Sequence, residues 1–350
     1  MSSANTQTAL VLPEKFGELV LTTLPVYKPG KDEVLVKVHS TALNPVDWKI
    51  QRRGIFSGVF PHVLGSDIAG EVVELGEGVS QFSKGDKVFF QGVYQENHHN
   101  GLQEYTTADV HTLAKIPPNI SFDEASSIPV ALTTAYLGLY NVNPYGLGLD
   151  SPLNGGARGK YAGTPIVIIG GSSSVGQLAL QFARLSGFDP IITTSSVKHE
   201  VFLKSLGATH VLDRHIPLSK EHVGAITDKP IQYVFDAISL PDTQKAGLDV
   251  LVSGGHILTV LNPQPFTAER GPKENKTVVQ VVGDKRLPHN VQLMRDFWAH
   301  VTALLEAGDI QPNRVEVLPN GLKGVADGLK RLQEDNVSGV KLVSRPRETT

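Results

Sequence analysis

The sequence predicts an α/β chain of two domains, one β-rich and barrel-like, the other a doubly wound parallel sheet, and three observations carry that prediction. The run Ile166-Val-Ile-Ile-Gly-Gly-Ser-Ser-Ser-Val-Gly176 reads as a buried strand that turns tightly into a helix. From there to residue 287, strand-like and helical runs alternate, as they do in a parallel sheet with crossover helices. Before residue 131 the runs are short, alternate in polarity and are punctuated by Gly and Pro, with few long helical patterns.

Along the chain, Glu33-Val-Leu-Val-Lys-Val-His39 and Ala69-Gly-Glu-Val-Val-Glu-Leu75 have the alternation of half-buried strands. Asn141 to Gly163, rich in Gly, Pro and Asn, reads as a surface connection. Ile166 to Ile169 then form a strand buried on both faces. The glycines and serines after it present backbone N–H groups to an anion, and the helical run Gln177 to Gly187 adds a partial positive charge. Gly171, Ser172, Ser173, Ser174, Val175 and Gly176 are therefore the candidate phosphate cradle, although a Gly-x-Gly-x-x-Gly fingerprint would put glycine at Ser173.

A second strand, Pro190 to Thr194, leads into Ser195-Ser196-Val197-Lys198-His199, which offers no carboxylate to accept two ribose hydroxyls. Ser196 and Lys198 suit a 2′-phosphate instead, which favours NADP(H) over NAD(H). Glu200 opens the next helix, where an acidic residue complements the dipole. Further buried strands follow at Tyr233 to Asp236, His256 to Val260 and Thr277 to Val282. An amphipathic helix from Asn290 to Glu306, the run Val315 to Leu318, a short helix and a last strand, Val340 to Val343, return to the first domain. The expected domains are thus residues 1–130 with 288–350, and residues 131–287.

With 350 residues the chain is long enough for two cores of common size. A formal net charge of −3 supplies no basic field, so nucleic-acid binding has no electrostatic support. The absence of cysteine excludes disulfides, thiol nucleophiles and cysteine-ligated zinc. The N-terminal residues lack a basic stretch followed by an apolar core, and no run approaches a membrane span, so a cytoplasmic protein is expected.

Asn44-Pro-Val-Asp-Trp-Lys49, Gly65-Ser-Asp-Ile-Ala-Gly-Glu-Val-Val-Glu-Leu-Gly76 and Gly85-Asp-Lys-Val88 occur in that order. On these motifs nearly the whole chain resembles a medium-chain dehydrogenase/reductase. Leu203-Lys-Ser-Leu-Gly-Ala208, Leu261-Asn-Pro263 and Ser338-Gly-Val-Lys-Leu-Val343 are similar to the fungal enoyl reductase and quinone-oxidoreductase-like group, which includes trans-acting partners of polyketide synthases. The resemblance implies a discontinuous GroES-like catalytic domain, a Rossmann domain between its parts, and hydride delivery from NADPH to an electron-poor C=C bond. Enones, enals, quinones and carrier-bound enoyl thioesters remain open as substrates, and monomer and homodimer as assemblies. A non-catalytic role on the same scaffold, crystallin-like or nucleic-acid-binding, is the alternative.

The resemblance also places Asn44 beside the nicotinamide, Lys49 near the nicotinamide ribose and substrate, and Thr134 as a hydroxyl contact to both. A turn cap, a solvated charge and a helix N-terminal residue are the respective structural alternatives. Mitochondrial-type enoyl reductases carry a tyrosine acid shortly after the Asn-Pro motif. Here Gly54-Ile-Phe56 has phenylalanine, which leaves Tyr94 or a bound water as proton donor. Arg214 replaces a tyrosine common in the family and could reach the adenine or the 2′-phosphate, or be a surface arginine; Leu261 flanks the nicotinamide through its backbone. Where the zinc alcohol dehydrogenases have cysteine and Gly-His-Glu, this chain has Asn44 and Gly65-Ser66-Asp67, so no metal is expected. His98 and His99, with Glu96 nearby, are the strongest remaining ligand group. Adjacent histidines in a Gly-Asn loop are expected to face different sides, and no site is assigned to them.

Overall fold

The computed structural model describes residues 6–56, 59–153 and 155–350. The chain divides into two compact units. One contains the residues up to Val130 with Met294–Glu306 and Pro312–Thr350; the other contains Ala131–Leu293 and Ala307–Gln311. The passage out of the second unit falls at residue 293, not 287. Asn290 accounts for the difference, since its Nδ2 donates to the carbonyls of Val282 and Asp284 while its Oδ1 accepts from Asn141 Nδ2.

In the first unit, β1 (Thr6–Leu12), β2 (Val20–Pro25) and β4 (His62–Val63) form a small antiparallel sheet in the order β2-β1-β4. β3 (Glu33–Ala42), β5 (Asp67–Leu75), β6 (Lys87–Gln91), β7 (Tyr105–Asp109) and β8 (Leu113–Lys115) belong to a larger one. β3 is its hub, because it pairs with β5 along one edge and with β7 on the other, and register shifts at Leu35/Val36 and Val38/Ser40 bend it. The alternating residues read from the sequence explain this. Val34, Val36 and Val38 project into a core with Ile68, Val72, Val88 and Phe90, while Glu33, Lys37 and His39, which alternate with them, are only partly buried.

The second unit carries six parallel strands: β9 (Ile166–Ile169), β10 (Ile191–Ser195), β11 (His210–Asp213), β12 (Tyr233–Asp236), β13 (His256–Thr259) and β14 (Thr277–Gln280). Their order, β11-β10-β9-β12-β13-β14, reverses direction at β9, which is the topological switch point of a doubly wound nucleotide-binding sheet. Every residue of β9 is buried, as its unbroken apolar run requires. The segment read as a surface connection folds back on the helix Pro129–Tyr140 instead. Leu147 and Leu149 are buried there, and their N–H groups donate to the Gly138 and Leu139 carbonyls.

After the helix Val291–Glu306 the chain forms β15 (Val315–Val317) and β16 (Lys341–Ser344) in the first unit, where β16 pairs antiparallel with the end of β3. The predicted α/β architecture, a β-rich domain plus a Rossmann sheet, is the observed one. No helix among the described residues is long and apolar enough to cross a membrane.

Candidate active site

Asn44 leaves β3 and caps the helix Pro45–Arg53. Pro45 starts that helix at no loss, having neither an N–H to satisfy nor a φ to fix. Asp47, in the first turn, accepts the Asn44 N–H on Oδ2 at 2.8 Å and the Gly65 N–H on Oδ1 at 3.3 Å. Gly54 ends the helix in the left-handed region, at φ +64°.

Beneath the helix start lies a buried polar group drawn from distant segments. Asn44 Nδ2 donates to Asp67 Oδ2 at 2.8 Å, and Lys341 Nζ donates to Asn44 Oδ1 at 2.6 Å and lies 2.9 Å from Asp67 Oδ2. The Val130 N–H donates to Asp67 Oδ1 at 2.6 Å. The Asp67 side chain is 0% exposed and that of Lys341 4% exposed, so the ammonium neutralises a carboxylate that water does not reach. Burial pushes the Asp47 carboxyl up to about 7 against the opposing N–H groups of Asn44 and Gly65; the Asp67 charge adds to the rise and Lys341 reduces it. Both ends of the Asn44 amide are thus engaged inside the unit, a bridging task that the resemblance did not assign to it. Asp47, Asp67 and Lys341 escaped notice although each stands in a quoted motif. The available signal was a charge flanked by apolar residues, as in Val340-Lys-Leu-Val343.

Lys49 sits one turn into the same helix, half-buried, with Nζ 5.7 Å from the centre of the Trp48 ring. Burial, together with the Arg53 charge, holds its ammonium below the usual lysine basicity. Tyr94 follows β6, and its ring stacks on that of Phe56, centroids 5.2 Å apart and planes at 11°. The structure therefore brings the alternative acid, Tyr94, against the very phenylalanine that replaces a tyrosine. Ser57 and Gly58, in the same loop, lie outside the described residues.

A catalytic zinc does not fit the donors at the matched positions. Asn44 offers an amide already bonded at both ends, Ser66 a hydroxyl, and Asp67 a carboxylate already paired with an ammonium. A divalent ion there would meet Lys341 and find neither thiolate nor imidazole among those three residues.

In the second unit the expected nucleotide contacts all fall at the carboxyl edge of the parallel sheet. After β9 the chain turns at Gly170, whose φ of +81° is open to glycine and whose Cβ would strike the Ile238 side chain at 2.4 Å. Ser173 is the N-cap of the helix Ser174–Ser186, its Oγ accepting the Gly176 N–H at 3.0 Å. With φ −68°, Ser173 needs no glycine, which explains the departure from the fingerprint. The helix starts at Ser174 and not at Gln177, because this cap lies outside the apolar periodicity. Gly176 is required for close approach, since a Cβ there would come within 2.2 Å of the Gly170 carbonyl oxygen. The N–H groups of Ser172, Ser174 and Val175 have no acceptor among the described residues, leaving three donors at a helix N-terminus.

β10 ends in Ser195, whose buried Oγ has no partner among the described residues. Ser196 and exposed Lys198 follow, and Arg214 is held alongside, its N–H donating to the Ser195 carbonyl at 2.9 Å. Glu200 pairs with Lys204 at 2.8 Å, consistent with its role as an ordinary helix residue. Leu261 lies just past β13 in a loop braced by Gln244, whose Oε1 accepts the Gln264 N–H and whose Nε2 donates to the Ser239 and Asn262 carbonyls. Thr134 lies in the helix Pro129–Tyr140 against the chain leaving β14, so close that a Cβ on Gly283 would come within 2.1 Å of its Oγ1. These donors, cations and close-approach glycines fit a dinucleotide phosphate backbone.

His98 and His99 do not face different sides. Both Nε2 atoms point toward Glu96 Oε2, at 3.7 and 3.5 Å, because Glu96 and its neighbours enter a single 3₁₀ turn, Asn97–His99.

Residues 30–118 match the family model described as an alcohol dehydrogenase GroES-like domain, and residues 174–296 that described as a zinc-binding dehydrogenase. A trans-enoyl reductase of Aspergillus japonicus is 33% identical over 318 residues, covering 89% of each chain. A second, from Aspergillus sclerotiorum, is 32% identical over 354 residues, covering 92% of this chain and 94% of the relative. The solved quinone oxidoreductase of Coxiella burnetii shares the fold, with a TM-score of 0.75 at 24% identity and coverage of 97% and 99%. The chain belongs to the medium-chain dehydrogenase/reductase family, a family of oxidoreductases that use a nicotinamide cofactor.

Proposed function

We propose that this chain is an NADPH-dependent reductase of activated C=C bonds, acting without a metal at the reaction centre, and that enoyl thioesters are its substrate class. The observation that carries this reading is the Asn44–Asp67–Lys341 group. It puts an ammonium where a zinc enzyme needs ligands, which supports polarisation of the acceptor by side-chain donors. The names of the curated relatives, trans-enoyl reductases, support the substrate class.

When bound, reduced nicotinamide supplies the hydride for the β-carbon. Ser172, Ser174 and Val175 hold the pyrophosphate through their N–H groups, while Ser196, Lys198 and Arg214 receive the 2′-phosphate. Lys49 stabilises the negative charge that develops on the carbonyl oxygen, and Tyr94 delivers the proton that completes the α-carbon. Thr134 orients the groups through its hydroxyl. Carrier-bound substrate would be presented by a polyketide synthase, on which this chain would act in trans.

The test is to follow oxidation of NADPH with crotonyl thioesters, enones, enals and quinones, and reduction of NADP with secondary alcohols. Turnover of the conjugated thioester with no alcohol oxidation supports the proposal. Efficient alcohol oxidation without reduction of any conjugated acceptor would overturn it.

A further inference from the structure

Away from the residues given roles above, four metal-ligating side chains of the first unit converge. His99 Nε2 lies 3.2 Å from Glu33 Oε1 and 3.5 Å from Glu96 Oε2, and His98 Nε2 lies 3.7 Å from the same Glu96 oxygen. The ligand atoms of Glu33, His98 and His99 all fall within 4.8 Å of one another. We propose that Glu33, Glu96, His98 and His99 form a binding site for a divalent transition-metal ion of the zinc class, a site structural in role and independent of the hydride-transfer chemistry.

Three features support this assignment. The first is spacing. N and O ligands at about 2.0–2.2 Å from a tetrahedral ion are separated by roughly 3.3–3.6 Å from each other. The Glu33–His99, Glu96–His99 and Glu96–His98 separations of 3.2, 3.5 and 3.7 Å lie close to that range, and Glu33, His98 and His99 each offer a ligand atom within 4.8 Å of the other two.

The second is orientation. The buried His99 ring has Nδ1 3.0 Å from the Thr107 carbonyl oxygen, which only accepts, so Nδ1 carries a proton and Nε2 is the ring atom turned to the two carboxylates. Glu33 is oriented in the same way, its Oε2 accepting the Gly30 N–H at 2.8 Å while Oε1 points to His99. A neutral His99 with its proton on Nδ1 offers its Nε2 lone pair to a metal ion that the two carboxylates would also ligate.

The third is the backbone. The 3₁₀ turn puts Glu96 and His99 three residues apart on one side, and its adjacent residue, His98, packs ring to ring with His99 at 4.1 Å. Two imidazoles with two carboxylates select a borderline-soft ion such as zinc over magnesium or calcium, which prefer all-oxygen shells.

The experiment is to strip the full-length protein with a chelator, desalt it, titrate it with zinc, and read bound metal by elemental analysis and thermal stability by unfolding. The expected result is one zinc per chain and a raised Tm. His99→Ala and Glu33→Gln should each weaken zinc binding at least about tenfold, and a His210→Ala, His215→Ala control should bind as the parent does. Should His99→Ala fail to fold, the more exposed His98→Ala carries the same test. Retention of less than about a tenth of an equivalent by the parent at micromolar zinc, or undiminished binding by the ligand variants, would overturn the proposal.

Discussion

Lys198 has no anionic partner among the described residues, and Arg214 is tied by its backbone to the strand end just before it. On the proposed reading, these two cations at the tip of β10 and β11 would discriminate a 2′-phosphate from a hydroxyl by charge alone. Lys198→Ala should therefore weaken NADPH binding by about 1.5 kcal/mol, roughly tenfold, and leave NADH binding nearly unchanged, as fluorescence titration of both cofactors would show. Equal losses for the two would remove the 2′-phosphate assignment. A second residue-scale consequence concerns Asp47, whose carboxyl titrates at about 7 in the fold and at 3.8 in the unfolded chain. Below that lower value it is protonated in both states, and its contribution is fully present. As pH rises toward 7 the unfolded chain releases the proton first, so stability falls. Asp47→Asn fixes the neutral form. The stability of the parent minus that of the variant should therefore decline between about pH 4 and pH 7, measured by urea unfolding; a flat difference would mean that Asp47 is ionised throughout. Asp236, pushed up to about 6 by burial, acts in the same direction but cancels in the difference.

At the scale of the elements, the turn after β9 depends on backbone space more than on side-chain chemistry. A Gly176→Ala methyl would enter within 2.2 Å of the Gly170 carbonyl oxygen and lift the helix Ser174–Ser186 from the turn. The expected outcome is a stability loss of about 1–3 kcal/mol and weaker binding of NADPH and NADH alike, which distinguishes it from Lys198→Ala in the same titration. This turn was legible in the sequence because an apolar run, small residues and a helical period are all local signals. So were β3, β5 and β12, where alternation or continuous apolarity matches the burial each strand has. The group under Asn44 was not legible, since Asn44 and Lys341 stand 297 positions apart and no local pattern joins them. The convergence of His98 and His99 was hidden for another reason. Their facing depends on a 3₁₀ turn that no periodicity announces, and on Glu33 arriving from the start of β3.

For the whole molecule, the proposed reaction class rests on Lys49 and Tyr94, which belong to the first unit, and on Thr134 and the proposed nucleotide contacts, which belong to the second. On that proposal the adenosine half is held by the turn after β9 and the tip of β10, whereas turnover also needs Lys49 and Thr134. Lys49→Ala and Thr134→Val should therefore lower kcat/KM on the best conjugated acceptor by a factor of about a hundred, the loss that a misplaced or unpolarised reactant produces, while NADPH affinity changes little. Lys49→Ala should also alter the pH profile of turnover, because the group that burial and Arg53 hold below ordinary lysine basicity is gone. Unfolding curves of both variants check that the fold survives. Wild-type turnover in both, with the fold intact, would detach the chemistry from these two side chains even if every nucleotide contact held. A loss confined to Thr134→Val would leave Tyr94, stacked on Phe56, to polarise the acceptor unaided, and Tyr94→Phe would then be the variant that abolishes reduction.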